Sequence, residues 1–500
     1  MIKKTNIIIL VFILLIFIVL SILIKPLNFK NINISLEEYL SIKEDRVLNE
    51  EYQLLYLKYD NIDLILDKNN KTFYFTKYDN LNNDNMEILY DSNISNLSIK
   101  INNDKVIIYD SKYYNEYSLV YTYLPIINIV YDGSLKEDDT FMKMYLYDNT
   151  NGINIINSDG YIHTRGTASS LYLKQSFRIS LVDEKGKNKI SLLNMRKDDD
   201  WILYSGYNDQ EKVRHVFSTN LWYESLAHDN MFKINNGNNY KYVEVLLNNE
   251  YWGLYALGYP IDSLQLNNDG YIFKKRYWDF EQNEDKSINL NGYTCISKKC
   301  DSFGNDLLKK YYENFFEYQD IKALYNNVDI DSAIDIYIFY NFIQGVDNGT
   351  DKLRNTIISF IKKDNNYYAL YTPWDLDFTF GNVWSNNGRN NTDIYNYDPS
   401  FEIYMEVNPV YKLINNGDEN IINLIKEKYI KLRNTYWSDQ HISHLIDLYE
   451  NDIFDSDAFS RDKKRWPDGN YIDEDIKLSK FKSYVLERLS ILDEKYIKNI

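Results

Sequence analysis

The stretch Asp347–Gly381, DNGTDKLRNTIISFIKKDNNYYALYTPWDLDFTFG, contains two apolar, β-favouring runs separated by the polar segment KKDNN. The runs are Thr356–Ile361 and Tyr367–Thr372, and together they predict a β-hairpin. Because antiparallel pairing brings the end of the second strand back to the start of the first, we expect Asn355 and Asp375 to lie at the same end of the hairpin.

Acidic side chains flank that end of the hairpin. Asp347 lies in the Gly-containing loop before the first strand, and Asp375 and Asp377 follow the second strand in a segment that we expect to be extended. Residues two apart in an extended segment point to the same side. Hard oxygen ligands of this kind suit Mg²⁺, which takes one or two carboxylates and the oxygens of a substrate phosphate. The alternative is that these loop carboxylates simply face water.

The order of these residues indicates two possible chemistries. A loop with Asp and then Asn, a short hairpin and then a metal-binding Asp is how protein kinases arrange their active site. The pair Asp375 and Asp377 also fits the short Asp-x-Asp pattern that holds a sugar nucleotide through a metal in glycosyltransferases. Glycosyltransferases of that kind generally start with alternating strands and helices, whereas this chain starts with antiparallel strands.

The bulk composition is that of a globular protein with an ample core. The chain has 500 residues, of which 44% are hydrophobic and 26% charged, and this length leaves room for two or three domains. Its net charge of −17 argues against nucleic acid and anionic lipid as main partners. A basic protein substrate would suit this charge.

The N-terminus predicts a membrane anchor. The run Ile7–Ile24 is interrupted only by Ser21, and as a helix it would span about 27 Å, close to the hydrocarbon thickness of a bilayer. No small-residue cleavage site follows it, so we predict an uncleaved single-pass anchor. Lys3 and Lys4 favour a cytoplasmic N-terminus, which places the main domain outside the cytoplasm.

The two cysteines, Cys295 and Cys300, leave two possibilities open. In an oxidising compartment they could close a small disulfide loop, and two free thiols are an equally valid interpretation. These cysteines and the five scattered histidines form no recognisable four-ligand zinc set.

Strands dominate the first half of the chain and helices the second. Short strand-like runs separated by Asn and Asp turns extend from Leu27 to about Tyr121 and predict a small antiparallel β domain. A second β-rich region follows from Leu124. From Asp306 onward the pattern turns helical, with the hairpin embedded in this part.

Three cations in the second β-rich region are candidates for binding phosphate. Arg165 precedes a turn of small residues in which backbone N–H groups could approach an anion. The predicted strand from Lys174 to Leu181 places Lys174 and Arg178 on one face. Solvated strand cations are the commoner situation, so this signal alone is weak.

Several blocks, taken together and in order, resemble the CotH kinase family, which includes the spore-coat protein CotH and its relatives. The resemblance spans about Leu124 to Tyr496. The blocks are LPIINIVYD, RGTASS, KQSFRISL, DDDWILYSGYND with VRH, VEVLLNNEYWGLYAL, DNGTDKLRN, PWDLDFTFG, RDKKRW and FKSYVLERLSILD.

The resemblance implies an α+β fold: an atypical protein-kinase-like, two-lobed domain at 122–500. The β-rich N-lobe would cover about 122–280 and the helical C-lobe about 305–500, preceded by an N-terminal membrane anchor (1–30) and the antiparallel β domain (31–121). It also implies transfer of the ATP γ-phosphate to Ser or Thr of a Ser-rich, basic coat or surface protein, with Mg²⁺ or Mn²⁺. The protein would act at the cell or spore surface.

The resemblance also implies roles for individual residues. The family usually carries Glu where Tyr259 stands, near the place where a kinase contacts adenine, so we expect altered nucleotide discrimination. A non-catalytic, kinase-like binding module is the main competing interpretation. The implied roles are Asp347 as the catalytic-loop Asp, Asn355 and Asp375 as metal ligands with Asp377 in support, and Lys174, Arg178 and, less strongly, Arg165 as nucleotide-phosphate contacts.

Overall fold

Strands fill the first part of the structure and helices most of the last part, so the predicted α+β class is confirmed. The computed structural model describes residues 27–28, 33–59, 62–76, 86–90, 97–135, 138–166, 169–266, 270–275, 292–314, 321–348, 355–383, 394–403 and 408–498. The two-lobed kinase arrangement stays a prediction.

The described strands number twenty-two and are named here in chain order. They are β1 (Leu27–Asn28), β2 (Val47–Leu48), β3 (Leu54–Tyr59), β4 (Ile62–Asp63), β5 (Ile65–Asp67), β6 (Thr72–Thr76), β7 (Met86–Tyr90), β8 (Ser98–Asn102), β9 (Lys105–Tyr109), β10 (Tyr113–Thr122), β11 (Ile126–Tyr131), β12 (Thr140–Asp148), β13 (Asn154–Arg165), β14 (Ser176–Asp183), β15 (Gly186–Lys187), β16 (Asp200–Tyr204), β17 (Tyr240–Leu247), β18 (Glu250–Gly258), β19 (Tyr271–Lys275), β20 (Tyr293–Cys295), β21 (Thr356–Lys363) and β22 (Asn366–Pro373).

The described α-helices number ten. They are α1 (Leu36–Glu44), α2 (Arg214–Ser225), α3 (Ser302–Tyr312), α4 (Ile321–Asn327), α5 (Ile330–Ile343), α6 (Pro409–Asn415), α7 (Glu419–Arg433), α8 (Asp439–Glu450), α9 (Ala458–Arg465) and α10 (Ser479–Asp493). Short 3₁₀ turns occur at Ser169–Leu171 and Ile394–Asn396, and π-helical turns at Asn451–Asp455 and Glu494–Lys498.

The chain forms two units of densely contacting residues. The second unit contains every residue that the sequence assigns to the site. The predicted domain boundary between residues 121 and 122 stays a prediction. The first unit consists of Met1–Gly133, Phe141–Asp159 and Val243–Gly253, and the second of Ser134–Thr140, Gly160–Tyr242 and Leu254–Ile500.

The first unit contains a mixed sheet as well as the antiparallel sheet β1-β7-β3-β4, which corrects the purely antiparallel prediction for this region. One sheet has the order β5-β6-β10-β9-β8, with β2 also on β10. Strand β10 runs parallel to β6 and to β2, because the chain between them crosses over before it returns in the same direction. Its core contains Phe73, Phe75, Ile101, Val106 and Leu119.

The same region contains a helix that the strand pattern did not predict. Helix α1 begins after Ser35, whose hydroxyl accepts a hydrogen bond from the N–H of Glu38 at 3.1 Å. This N-cap, together with acidic residues in the first turn, stabilises a short helix that carries only a weak apolar stripe. Local capping therefore decided the structure of a segment in which we expected only strands.

In the second unit, the predicted hairpin is confirmed. Strands β21 and β22 pair in antiparallel register from Thr356↔Pro373 to Lys363↔Asn366. Asp364 and Asn365 between them both have positive φ, which is the backbone of a type I′ turn. The hairpin belongs to the sheet β20-β19-β21-β22, in which β19 flanks β21 and β22 is the edge strand.

Helix α5 packs against β22 and supports the hairpin there. It is apolar nearly all round and almost wholly buried, as expected for a helix enclosed by other elements. The Ser332 hydroxyl accepts from the N–H of Tyr371, and the Tyr340 hydroxyl lies 2.8 Å from that of Thr356. The C-terminal end of α5 therefore leads the chain directly to the loop that contains Asp347.

Two further expectations are decided by the structure. Cys295 and Cys300 form a disulfide, with their Cα atoms 5.9 Å apart, so the disulfide interpretation is the one observed. Among the described residues, no helix is both long and apolar enough to cross a membrane. The predicted anchor Ile7–Ile24 lies outside the described residues and stays a prediction.

Asp452 gives a pH-dependent prediction for the stability of this unit. Burial raises the pKa of Asp452 to about 6, and the positive charge of Lys241 opposes the shift only in part. Because the unfolded chain ionises this carboxyl near its ordinary pKa, folding becomes less favourable as pH rises from about 4 to about 6. We expect Asp452→Asn to increase the free energy of unfolding by about 1–3 kcal/mol at pH 8, with the gain disappearing towards pH 4.

Urea unfolding of wild type and variant at pH 4, 6 and 8 measures this difference. Asp457→Asn is the control, because Asp457 is exposed and its left-handed backbone is equally accessible to Asn. A gain from Asp452→Asn that is the same at all three pH values would contradict the assignment.

Candidate active site at the end of the hairpin

The hairpin brings Asn355 and Asp375 to the same end, as the sequence predicts. Thr356 pairs with Pro373, and the N–H of Trp374 donates to the carbonyl of Asn355 at 3.0 Å. Asp375 therefore follows directly after the last hydrogen bond of the ladder.

A buried amide that the sequence analysis did not single out holds this end together. The side-chain NH₂ of Asn348 donates to the carbonyl of Asn355 at 3.2 Å and to that of Trp374 at 2.9 Å. Asn348 is fully buried. One side chain thus joins the loop before the hairpin to both strand ends.

Asp347 and Asn355 are in direct contact. The amide Nδ2 of Asn355 donates to Oδ2 of Asp347 at 2.8 Å, and both side chains are buried. Asn355 has a φ of 58°, a left-handed conformation that Asn adopts more readily than most residues. The two residues that the kinase arrangement requires in its catalytic loop are therefore adjacent in space.

Asp375 and Asp377 are near each other, although not for the predicted reason. Asp375 has a φ of 60°, so the segment turns instead of continuing as an extended strand. Asp377 is buried, and burial raises its pKa well above the ordinary range. The negative charges of Asp375 and Asp347 raise this pKa further, whereas a hydrogen bond from the Asn208 amide opposes the shift.

This donor set fits a divalent cation that also binds phosphate. In the described part of the chain, no group of three His, Cys, Asp or Glu side chains is arranged to hold a metal by itself. Mg²⁺ does not require such a cage, because it takes one or two carboxylates and completes its shell with water and phosphate oxygens. Burial is the main cause of the raised pKa of Asp377, and the negative charges of Asp375 and Asp347 that raise it further are charges that a bound cation would neutralise.

His215 was not predicted as part of this site. Its Nδ1 accepts a hydrogen bond from the N–H of Leu376, between the two aspartates, at 3.1 Å. Burial lowers the pKa of His215 to about 4, although the charge of Asp375 opposes the shift, and Arg165 lowers it further, so the imidazole is neutral near pH 7. The block VRH contained this residue, but nothing in its local pattern indicated contact with Leu376.

Lys174 lies in a closed, fully buried environment. Its ammonium is 2.7 Å from Oδ1 of Asp462 and also donates to the carbonyls of Ser205 and Leu254. Burial lowers the pKa of Lys174, and the charge of Asp462 opposes the change. All three protons of the ammonium therefore have acceptors within the protein.

Arg178, on β14, forms an ion pair with a carboxylate of the neighbouring strand β16. Its guanidinium is 3.0 Å from Asp200, and that carboxylate also accepts from the Ser180 hydroxyl at 2.6 Å. Strand β14 begins at Ser176, so Lys174 precedes the strand on which we predicted it. The expected alternation is otherwise observed, with Phe177 and Ile179 buried on the face opposite Arg178.

Arg165, the weakest candidate from the sequence, lies next to the acidic segment. Its guanidinium is 5.6 Å from the ring centre of Trp374, the residue before Asp375. The ammonium of Lys274, which the sequence analysis did not identify, is 4.3 Å from the same ring. Arg165 and Lys274 therefore both lie against Trp374, the residue that precedes the carboxylate of Asp375.

Tyr259 is buried rather than facing a ligand. Its ring packs edge-on against Trp201, and the guanidinium of Arg196 lies 4.2 Å from its centre. Only 2% of the residue is exposed, so a nucleotide base could not stack on this ring without displacing its neighbours. The altered nucleotide discrimination expected from this position stays a prediction.

The order of loop, hairpin and acidic segment is that of a kinase-like active site. A comparison with known protein families matches residues 162–492 to the family described as CotH kinase protein. The match covers well over half of the chain and includes every predicted site residue, so the chain belongs to the CotH kinase family. The predicted family is confirmed. A comparison with curated proteins finds no significant match.

The buried Lys174–Asp462 pair yields a prediction about stability. Lys174→Met leaves the Asp462 carboxylate buried without its cation, and we expect a loss of about 3–5 kcal/mol in the free energy of unfolding. In Lys174→Met/Asp462→Asn the buried charge is absent, so most of the loss should be recovered. Urea unfolding without nucleotide measures both effects.

Arg178→Met is the matched control, because the Arg178 side chain is 41% exposed and its ion pair should contribute less than about 1 kcal/mol. A Lys174→Met variant with the wild-type unfolding midpoint would show that this lysine has no structural role.

Proposed function

We propose that the protein is a membrane-anchored atypical protein kinase that moves the γ-phosphate of ATP to Ser or Thr of a protein. The observation that carries the proposal is the hydrogen bond between Asp347 and Asn355 at the end of the hairpin that leads into Asp375. Membership of the CotH kinase family supports a kinase-like activity.

In this proposal the acidic residues have two separate tasks. Asp347 orients the acceptor hydroxyl and accepts its proton, held in place by the Asn355 amide. Asp375 and Asn355, with support from Asp377, hold Mg²⁺ or Mn²⁺. The cation, when bound, neutralises charge on the nucleotide phosphates during transfer.

The candidate cations differ in where they lie relative to the acidic segment. Lys174 would have to exchange one of its three protein acceptors, and Arg178 is paired with Asp200. Arg165 and Lys274 both lie against Trp374, immediately before Asp375 in the chain. Because Arg165 and Lys274 lie beside the acidic segment, we place the first phosphate contacts there and keep Lys174 and Arg178 as secondary candidates.

The proposed acceptor is a Ser-rich, basic coat or surface protein. The net charge of −17 supports a basic partner and gives no support to nucleic acid. Retention through Ile7–Ile24, with the main domain at the cell or spore surface, remains part of the proposal.

A transfer assay distinguishes this function from its competitors. Purified protein is incubated with labelled ATP, Mg²⁺ or Mn²⁺ and a basic Ser-rich protein. Label on Ser or Thr supports the kinase. Transfer only from a sugar nucleotide would instead support a glycosyltransferase, and a folded protein without turnover would support a binding module.

The division of tasks predicts two different failures. Asp375→Asn removes a charged oxygen ligand and should weaken Mg²⁺-dependent nucleotide binding as well as transfer. Asp347→Asn should leave metal and nucleotide bound but reduce transfer by roughly two to four orders of magnitude, because the proton acceptor is lost. Nucleotide affinity with and without Mg²⁺, measured beside phosphate transfer, separates the two variants.

Asp364→Asn provides the control, since Asp364 lies at the opposite, exposed end of the same hairpin. Normal transfer by Asp347→Asn, or full Mg²⁺-dependent binding by Asp375→Asn, would show that the roles are assigned wrongly.

A further inference from the structure

We infer that the segment Asn208–Ser218 positions the acidic segment Asp375–Phe380. The first of these segments runs from the loop before α2 into the start of that helix, and Asn208 and His215 are its two positioning residues. The inference rests on the proposed function for its consequence in metal binding, but its structural content can be measured in metal-free protein.

Hydrogen bonds join the two segments at several points. The Asn208 amide donates to the carboxylate of Asp377, and Nδ1 of His215 accepts from the N–H of Leu376. The hydroxyls of Ser218 and Thr379 are 3.3 Å apart. The acidic segment is thus held at a carboxylate, at a backbone N–H and at a hydroxyl.

Residues of α2 also hold Phe380, at the C-terminal end of the acidic segment. The guanidinium of Arg214 faces the carbonyl of Phe380 at 3.5 Å, and the rings of Phe217 and Phe380 meet at 5.7 Å. Arg214 is itself held by Asp209 at 2.7 Å and by Glu211, so the start of α2 is a rigid support.

His215 is held in a single orientation. Its ring is 4.2 Å from that of Tyr204 and 4.8 Å from that of Tyr240, centre to centre. Because Nδ1 accepts the Leu376 N–H, the ring proton is on Nε2. The imidazole is therefore a fixed acceptor directed at the peptide between Asp375 and Asp377.

The consequence is specific to the acidic segment. Asp375 has left-handed backbone and Phe380 also has positive φ, so the segment lacks the ladder hydrogen bonds that hold β21 and β22. The contacts from Asn208 and His215 supply what the ladder does not. Without them, the carboxylates would no longer be presented in one arrangement to a cation.

Hydrogen exchange on metal-free protein tests the inference directly. In His215→Leu, the Leu376 amide loses its acceptor, and we expect its exchange to accelerate about tenfold or more while the amides of β21 and β22 keep wild-type rates. His215→Asn retains a side-chain acceptor and should restore most of the protection. Mn²⁺ alone, titrated into each protein, should bind about tenfold or more weakly to His215→Leu.

Asn208→Ala is a second variant, because it removes the contact to Asp377 from a loop outside the helix. We expect weaker Mn²⁺ binding here as well. Ser225→Ala is the matched control: it removes from the same helix a hydroxyl that donates to the carbonyl of Leu221 at 2.6 Å and accepts from the indole N–H of Trp437 at 3.2 Å.

The outcomes separate this inference from the proposed function. Selective exposure of the acidic segment in His215→Leu supports positioning, even if the wild-type protein binds no Mn²⁺ and the metal-dependent function fails. Uniform acceleration across β21, β22 and the acidic segment, or equal effects from Ser225→Ala, would overturn it and leave these contacts as ordinary core packing.

Discussion

The candidate site depends on the closure of one hairpin end by the buried Asn348 amide. This side chain donates to the carbonyls of Asn355 and Trp374, which belong to opposite strands. A buried carbonyl without a donor is costly, so satisfying both carbonyls with one amide stabilises the arrangement. Asp347, next to Asn348 in sequence, is thereby placed beside Asn355, and Asp375 follows the closed end.

The carboxylates at the closed end of the hairpin differ in their pairing from other charged groups of the second unit. Burial raises the pKa of Asp377, and the nearby carboxylates of Asp375 and Asp347 raise it further. Two fully buried cations of the second unit are paired with other carboxylates, Lys174 with Asp462 and Arg214 with Asp209 and Glu211. These structural charges are thus paired with each other, whereas the carboxylates at the hairpin end are the ones proposed to hold a divalent cation.

Helices distant in sequence support the acidic segment from two sides. The N–H of Phe380 donates to the carbonyl of Ile343 at the end of α5, and Nδ1 of His215 in α2 accepts from Leu376. Gly381 then turns the chain with a φ of 83°, where a Cβ would lie 2.5 Å from the carbonyl of Ile394. Only glycine fits this turn. The precision of the site thus comes from packing of several elements and not from the hairpin alone.

The sequence by itself determined the hairpin, the α+β class and the family, and it placed Asp347, Asn355 and Asp375 at one end of the hairpin. It could do so because strand alternation and turn residues act locally and antiparallel pairing fixes which ends meet. It could not determine the parallel pairing of β10, or that Lys174 finds its partner in Asp462, nearly three hundred residues later. Nor could it show Asn208, His215 and Asn348 as supports, since ordinary polar residues acquire such roles only from what tertiary packing places beside them. The tertiary structure also decided the left-handed backbone conformation of Asp375. A left-handed backbone at this position is stable only because the surrounding hydrogen bonds compensate for its intrinsic cost.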